Sequence, residues 1–374
     1  MHLLDVTMLH GPAVGGVSRY LSTKRRWMQH NTPVRHSQLV AGEREGRGAD
    51  GEFVLPGMRL PWCGPLRWPV DAMRWIGAIE ALQPDVIEAN DMGSAAWFSL
   101  VAARRMDVPL LGFAHVDLVR FARERKGALA ERTVIGYTRT FYNRCDVVIA
   151  PSEYMRGRLA SWGIDRVLVR HLGVDATQFH PRHRTEDLRA RLGLPADTRL
   201  LIYVGRFSAE KRIDVLLEAA RRLGAPYHLL LVGGGDVPPL PRNVSRLPFV
   251  ANTDTLARLM ASADALVHAG NVETFGLVYL EAMACGRPVV AAHGGAAAEI
   301  VNSGCGVLAR PGGATALAEA VDALYQRDLD GLGATARARV EQHFTLDHSM
   351  QRLLALYRTA KAAPLSSVPA LVAT

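Results

Sequence analysis

The chain has 374 residues, 49% of them apolar, and a formal charge of +8. That length exceeds what one hydrophobic core usually organises, so two domains are expected. No apolar run reaches the roughly 18 residues of a membrane-spanning helix, and the positive charge comes without a nucleic-acid recognition signature, which sets nucleic acid aside as a partner.

In chain order, MHLLDVTMLHG lacks the basic start and cleavage pattern of a signal peptide and reads as a first strand, so a cytoplasmic protein is expected. Short β-rich runs follow (DVIEA, PLLGFAH, DVVIAPS, RVLVRHL), and GVSRYLSTKRRWMQH, PVDAMRWIGAIEAL, SAAWFSLVAARR and EYMRGRLASW carry helical spacing between them. Such alternation predicts a doubly wound parallel sheet. From Val119 to Arg144, seven basic residues (Arg120, Arg123, Arg125, Lys126, Arg132, Arg139, Arg144) face only Glu124 and Glu131, with Phe121, Val134, Tyr137 and Phe141 interleaved. The stretch reads either as a solvated surface helix or as a peripheral contact with an anionic membrane.

HLGVDATQFHPRHR breaks the periodicity and marks the passage between domains. The alternation then restarts, with RLLIYVGR, YHLLLVGG, ADALVHAG and RPVVAA as strands and DVLLEAARRLG, DTLARLMASA and FGLVYLEAMA as helices. The expected division is an α/β domain over 1–180, a second over 181–345, a helix over 346–361 crossing back to the first, and a disordered tail over 362–374. Cys63, Cys145, Cys285 and Cys305 lack metal-ligand or redox spacing and read as reduced, mostly buried thiols.

Open parallel sheets place ligands beyond the carboxyl ends of their strands, so two such domains predict a site in the cleft between them. ETFGLVYLEAMACGRPVV sets Glu273 and Glu281 eight residues apart, with Glu273 read at a helix entrance and Glu281 two turns in. At about 1.5 Å per residue the separation is near 12 Å, which suits two ends of one extended ligand with an anion between them at the helix amides. A nucleoside diphosphate sugar has that layout; two surface glutamates on an ordinary helix have the same spacing. YVGRFSAEKRID presents Arg206 and Lys211 after a strand, where two cations can neutralise a diphosphate or simply face solvent. Gly15 and Gly16 follow the first strand and permit close backbone approach, without the dinucleotide fingerprint. His115, in GFAHVDL, comes at a strand end on the same expected face; alone it reads equally as a structural histidine.

Together, GGVSRY, PDVIEAND, FAHVDL, CDVVIAPSEYMRGRL, HLGVDATQFHP, YVGRFSAEKRIDVLLEA and ETFGLVYLEAMACGRPVVAA resemble a retaining GT-B glycosyltransferase of family 4, the group-1 class. The resemblance implies two Rossmann-like domains and transfer of a hexose, mannose or glucose, from a GDP- or UDP-sugar to a lipid or lipid-linked saccharide. It implies no cofactor and no metal, in keeping with a sole D-x-D, Asp328 to Asp330, placed far from the other motifs. It gives Glu281 the donor ribose and Glu273 the donor-sugar hydroxyls, with Thr274, Phe275, Gly276 and Leu277 beside them. Arg206 and Lys211 take the diphosphate, Gly16 with Gly15 the β-phosphate, and His115 the sugar near the breaking bond. Two departures stand out: Arg212 follows Lys211 where the family often has glycine, and VGGGDVPPLPRNV is short and proline-rich. A catalytically silent nucleotide-sugar binding module and a GT-B-like epimerase or phosphorylase are the alternatives.

Overall fold

The computed structural model describes residues 1–11, 15–48, 51–59 and 66–362; Cys63 and the expected tail from 363 onward lie outside the described residues. Two compact units form, Met1–His171 with Met350–Thr374, and Leu172–Ser349. The division thus falls after His171 rather than after residue 180. The cause is local: Val174 pairs with Thr345, its N–H donating to the Phe344 carbonyl (2.9 Å) while its own carbonyl accepts from the Leu346 N–H (2.9 Å). The segment after His171 is therefore already part of the second unit.

The first unit runs β1 (His2–Thr7), α1 (Gly16–Asn31), β2 (Arg35–Gly42), β3 (Gly46–Arg47), β4 (Phe53–Pro56), β5 (Met58–Arg59), β6 (Arg67–Trp68), α2 (Ala72–Leu82), β7 (Val86–Ala89), α3 (Ser94–Met106), β8 (Leu110–Phe113), α4 (Leu118–Tyr142), β9 (Val147–Ala150), α5 (Glu153–Ser161) and β10 (Val167–Val169). Its eight-stranded sheet has the order β10-β9-β8-β7-β1-β2-β4-β3. Within that sheet, among the described residues, only the β3–β4 pair is antiparallel. Strands such as β1 and β7 are buried along their whole length, as helices on both faces of a parallel sheet require.

The second unit runs α6 (Asp187–Arg191), β11 (Arg199–Val204), α7 (Ile213–Leu223), β12 (Tyr227–Val232), β13 (Val244–Leu247), α8 (Thr253–Ser262), β14 (Ala265–His268), α9 (Leu277–Ala284), β15 (Val289–Ala292), α10 (Ala297–Ile300), β16 (Gly306–Ala309), α11 (Gly313–Tyr325) and α12 (Leu329–His343). The sheet is all parallel, in the order β13-β12-β11-β14-β15-β16. α7 buries Ile213, Leu216, Leu217 and Ala220, the i, i+3, i+4, i+7 stripe of a helix lying on a sheet. α13 (Leu346–Ala362) opens in this unit and from Met350 belongs to the first.

Cys145, Cys285 and Cys305 are free thiols. Burial pushes Cys285 up to about 12, so it is an inert thiol at neutral pH. None of the helices among the described residues is long and apolar enough to cross a membrane.

α4 differs from the amphiphilic face drawn from sequence. Phe141 is fully buried against Trp97, ring centroids 5.5 Å apart, and Tyr137 is turned inward, accepting from the Trp97 Nε1–H (2.7 Å) and donating to the Met92 carbonyl. The Phe141 ring is therefore not available to a bilayer, whereas Tyr137 stays 39% exposed with its hydroxyl engaged. Gly127, at φ 78°, ψ −169°, breaks the helix, and Leu129 beside it is 79% exposed.

Candidate active site

In the second unit, strand order reverses between β11 and β14: β12 and β13 lie beyond β11, and β15 and β16 beyond β14. Loops leaving the carboxyl ends of those two strands diverge there, which is where open α/β sheets hold ligands. The loop after β11 carries Arg206 and Lys211; the loop after β14 carries Glu273. The structure brings Lys211 and Glu273 together as an ion pair through Nζ and Oε1. Arg206 stands apart from them, 57% exposed, its Nη2 3.5 Å from Glu210 Oε1. Its backbone is fixed by the Tyr203 hydroxyl donating to the Arg206 carbonyl (2.8 Å) and by the Phe207 N–H donating to the Gly234 carbonyl (2.7 Å).

After Lys211 the chain turns through Arg212 at φ 51°, ψ 51°. This left-handed conformation favours glycine, which gives the family's usual residue a physical reason and makes the arginine a strained substitute, at a cost of about 1–2 kcal/mol.

Glu273 is not on the helix, contrary to the sequence reading. α9 begins at Leu277, and Gly276 caps it at φ 94°, ψ 58°, where a Cβ would stand 2.5 Å from the Tyr279 ring. That left-handed turn cannot belong to a right-handed helix, so Glu273, Thr274 and Phe275 form the loop before it, and the 12 Å axial spacing does not apply. Phe275 is buried with its ring edge toward Phe344 (6.5 Å), while Thr274 and Leu277 are half-buried. Glu281 lies on α9, 5% exposed, in a helix whose residues from Tyr279 to Ala284 are all buried. The N-cap of α9 is Gly276, which has no side chain to cap the helix, and the Tyr279 N–H donates to the Gly276 carbonyl (3.0 Å).

The sequence reading missed His268, at the end of β14. It is buried, with Nε2 3.2 Å from Glu273 Oε1. Burial alone would raise the Glu273 carboxyl, but Lys211, followed by His268, outweighs it and holds the group well below the ordinary carboxylate range. The Glu273 backbone is clamped as well, its carbonyl accepting from the Ala296 N–H (2.9 Å) next to Gly294 and Gly295. The Gly-Gly pair after RPVVAA was the available sequence signal.

In the first unit, Gly15 and Gly16 open α1, with Gly15 at φ 83° as its N-cap, no side chain capping the helix and Gly16 exposed. His115 follows β8, buried, with its ring stacked on Phe113 (3.9 Å, 6°) and Nε2 3.0 Å from Asn90 Oδ1. Burial, then the nearby Lys24 charge, lowers its pKa to about 3, so the imidazole is neutral at physiological pH. The ring therefore carries no positive charge there, and its single proton on Nε2 is donated to Asn90 Oδ1. Asp328, first of the D-x-D, caps α12 by accepting from the Asp330 N–H (3.1 Å).

Two family models match: Glycosyltransferase Family 4 over residues 14–178 and Glycosyl transferases group 1 over residues 198–327. A GDP-mannose-dependent alpha-mannosyltransferase of Mycolicibacterium smegmatis is 32% identical over 302 residues, covering 78% of this chain and 79% of the relative. The chain belongs to the group-1, family-4 glycosyltransferases. Among other members, a GDP-mannose-dependent alpha-(1-6)-phosphatidylinositol dimannoside mannosyltransferase of Mycobacterium tuberculosis is 31% identical, with 81% of each chain covered. This glycosyltransferase shares its fold with solved GT-B structures. Sucrose-phosphate synthase from Thermosynechococcus elongatus matches with TM-score 0.80 at 22% identity, over 96% of this chain and 99% of that one. Anabaena HepE, in complex with UDP and glucose, matches with TM-score 0.76 at 22% identity, over 96% and 100%.

Proposed function

We propose that this glycosyltransferase moves mannose from GDP-mannose to a lipid or lipid-linked saccharide, with retention of anomeric configuration and without a metal. The observation that carries the reading is the Lys211–Glu273 ion pair at the β11/β14 reversal, with Arg206 exposed on the same loop as Lys211 and Glu281 buried on the next helix. Mannose and guanine are preferred over glucose and uracil because the relatives above 30% identity named here are GDP-mannose-dependent.

In this reading Glu281 accepts the ribose hydroxyls and Glu273 the sugar hydroxyls. Arg206, Lys211 and the α9 amides receive the charge that develops on the departing diphosphate, the task a metal performs elsewhere. Gly15 and Gly16 take the β-phosphate, and neutral His115 contacts the sugar. The bond from the anomeric carbon to the phosphate oxygen breaks as the acceptor hydroxyl attacks the same face, and the hydroxyl proton passes to the leaving phosphate oxygen. The exposed basic residues Arg123, Arg125 and Lys126 with Leu129 supply the peripheral contact, at the cytoplasmic membrane face, that a lipid acceptor calls for.

Calorimetric titration with GDP-mannose, GDP-glucose, UDP-glucose and UDP in excess chelator is the test, followed by NMR of the product anomer. Binding of GDP-mannose above the others, and an α product formed in chelator, are expected. A site that binds none of them, or activity lost in chelator and restored by manganese, overturns the reading.

A further inference from the structure

Resting on that reading of Glu273, we propose that His268 is a positioning residue that aims the Glu273 carboxylate at the donor sugar. His268 ends β14 fully enclosed, stacked on Tyr203 (5.5 Å, 29°) and edge-on to Tyr279 (5.3 Å, 88°), so its ring has one orientation. Its Nδ1 lies 3.2 Å from the Gly270 backbone nitrogen and 3.2 Å from the Tyr279 hydroxyl. A backbone N–H can only donate, so Nδ1 is the acceptor and the ring proton sits on Nε2. That proton points at Glu273 Oε1, 3.2 Å away. Gly270 is required for the arrangement, since a Cβ there would stand 2.8 Å from His268 Cε1 and 3.0 Å from the Glu210 carbonyl oxygen.

Lys211 alone would not fix the carboxylate. An ammonium on a four-carbon stem is a mobile point charge, whereas a clamped imidazole donates along one direction. Both donors converge on Oε1. The carboxylate is thereby held by one oxygen, and the other, Oε2, is left to receive a sugar hydroxyl. A group placed this way acts on turnover more than on donor affinity, because contacts at the reacting sugar strengthen in the transition state.

Two substitutions separate positioning from packing. Glutamine places an amide nitrogen three bonds from Cβ, where Nε2 was; asparagine places it two bonds away, where Nδ1 was, and cannot reach Glu273. For His268→Gln, kcat within about threefold of the parent is expected, and for His268→Asn a loss of roughly tenfold or more, with KM for donor and Kd for GDP unchanged in both. Melting temperature and GDP binding are measured on each variant. Equal kcat for the two variants, or a fall in kcat that follows the melting temperature, overturns the proposal. Failure of the parent protein to bind GDP or UDP would instead overturn the reading of the site, so the two failures are distinguishable.

Discussion

Glu273 and Glu281, eight residues apart in sequence, meet different surroundings and so predict different losses. Glu281 is enclosed on α9, and its assigned contact with the ribose is equal in ground and transition states. Glu281→Ala should raise the donor KM roughly 10- to 100-fold, the value of one charge-assisted hydrogen bond, with kcat little changed. Glu273→Gln keeps the shape but removes the charge facing Lys211, and should lower kcat roughly 100-fold at near-constant KM. Steady-state kinetics with hydrolysis of the donor as readout check both; equal effects on kcat would mean that the two carboxylates do not divide the donor as assigned. The pair was legible in sequence because both ends of E-x7-E carry charge inside an apolar segment. His268 was not, because in ADALVHAG it occupies a strand position, and its role arises only when folding places Tyr203 and Tyr279 around it.

Elements with a strong period were legible, and those without one were not. β1, β7, β8, β11, β12 and β14 are apolar runs and α7 a clean amphipathic stripe, whereas β2 (RHSQLVAG) buries His36, Ser37 and Gln38, so its polar residues hide a strand. β13 and β16 are short strands at the two edges of the second sheet, where fewer buried positions leave less pattern. Of the aromatics in the basic run over α4, Phe141 is buried while Tyr137 is part-exposed with its hydroxyl bonded to Trp97 and Met92, so the exposed basic cluster around Gly127 and Leu129 is the membrane-facing candidate. Basic residues contribute on the order of 1 kcal/mol each near an anionic surface, so replacing Arg123, Arg125 and Lys126 by Ser should weaken vesicle binding on the order of 100-fold. The parent should co-sediment with anionic but not neutral vesicles, and less so at high salt. Donor hydrolysis should be unchanged in the variant. Equal sedimentation of both proteins would leave α4 as a solvated helix.

On the scale of the whole molecule, the chain enters the second unit at Leu172 and returns to the first at Met350, so α13 must be anchored in the first unit by its own contacts. A buried polar cluster supplies one. Lys24 Nζ of α1 donates to Asp5 Oδ1 of β1 (2.7 Å) and Glu88 Oε1 of β7 (2.7 Å), His36 Nε2 of β2 lies 2.9 Å from Asp5 Oδ2, and the Tyr357 hydroxyl of α13 donates to Glu88 Oε2 (2.5 Å). Burial raises the Asp5 carboxyl, but Lys24 and then His36 outweigh it and hold it well below the ordinary range. Burial also opposes the Lys24 charge, yet Asp5 and Glu88 raise its pKa. A lowered Asp5 pKa gives stability that is present above the unfolded value near 3.9 and lost as pH falls; a raised Lys24 pKa gives stability present below about 10.4 and lost as pH rises through the folded value. The Asp5 and Lys24 contributions are therefore both present in the window between, whereas the Glu88 carboxyl, raised by burial, opposes stability as it ionises. Lys24→Met leaves two carboxylates buried without their cation, which costs about 3–5 kcal/mol. Both then ionise more readily in the unfolded chain, so the loss should grow as pH rises from 5 to 8. Tyr357→Phe removes one donor to Glu88 and should cost about 1–3 kcal/mol. With two units the melt need not be two-state, so hydrogen exchange is the better measurement. Protection should fall in β1, β2 and β7 and stay unchanged in β11 and β14 for both variants. A uniform fall across both sheets would show that the units unfold together, and no fall in the first would mean that the cluster does not anchor α13.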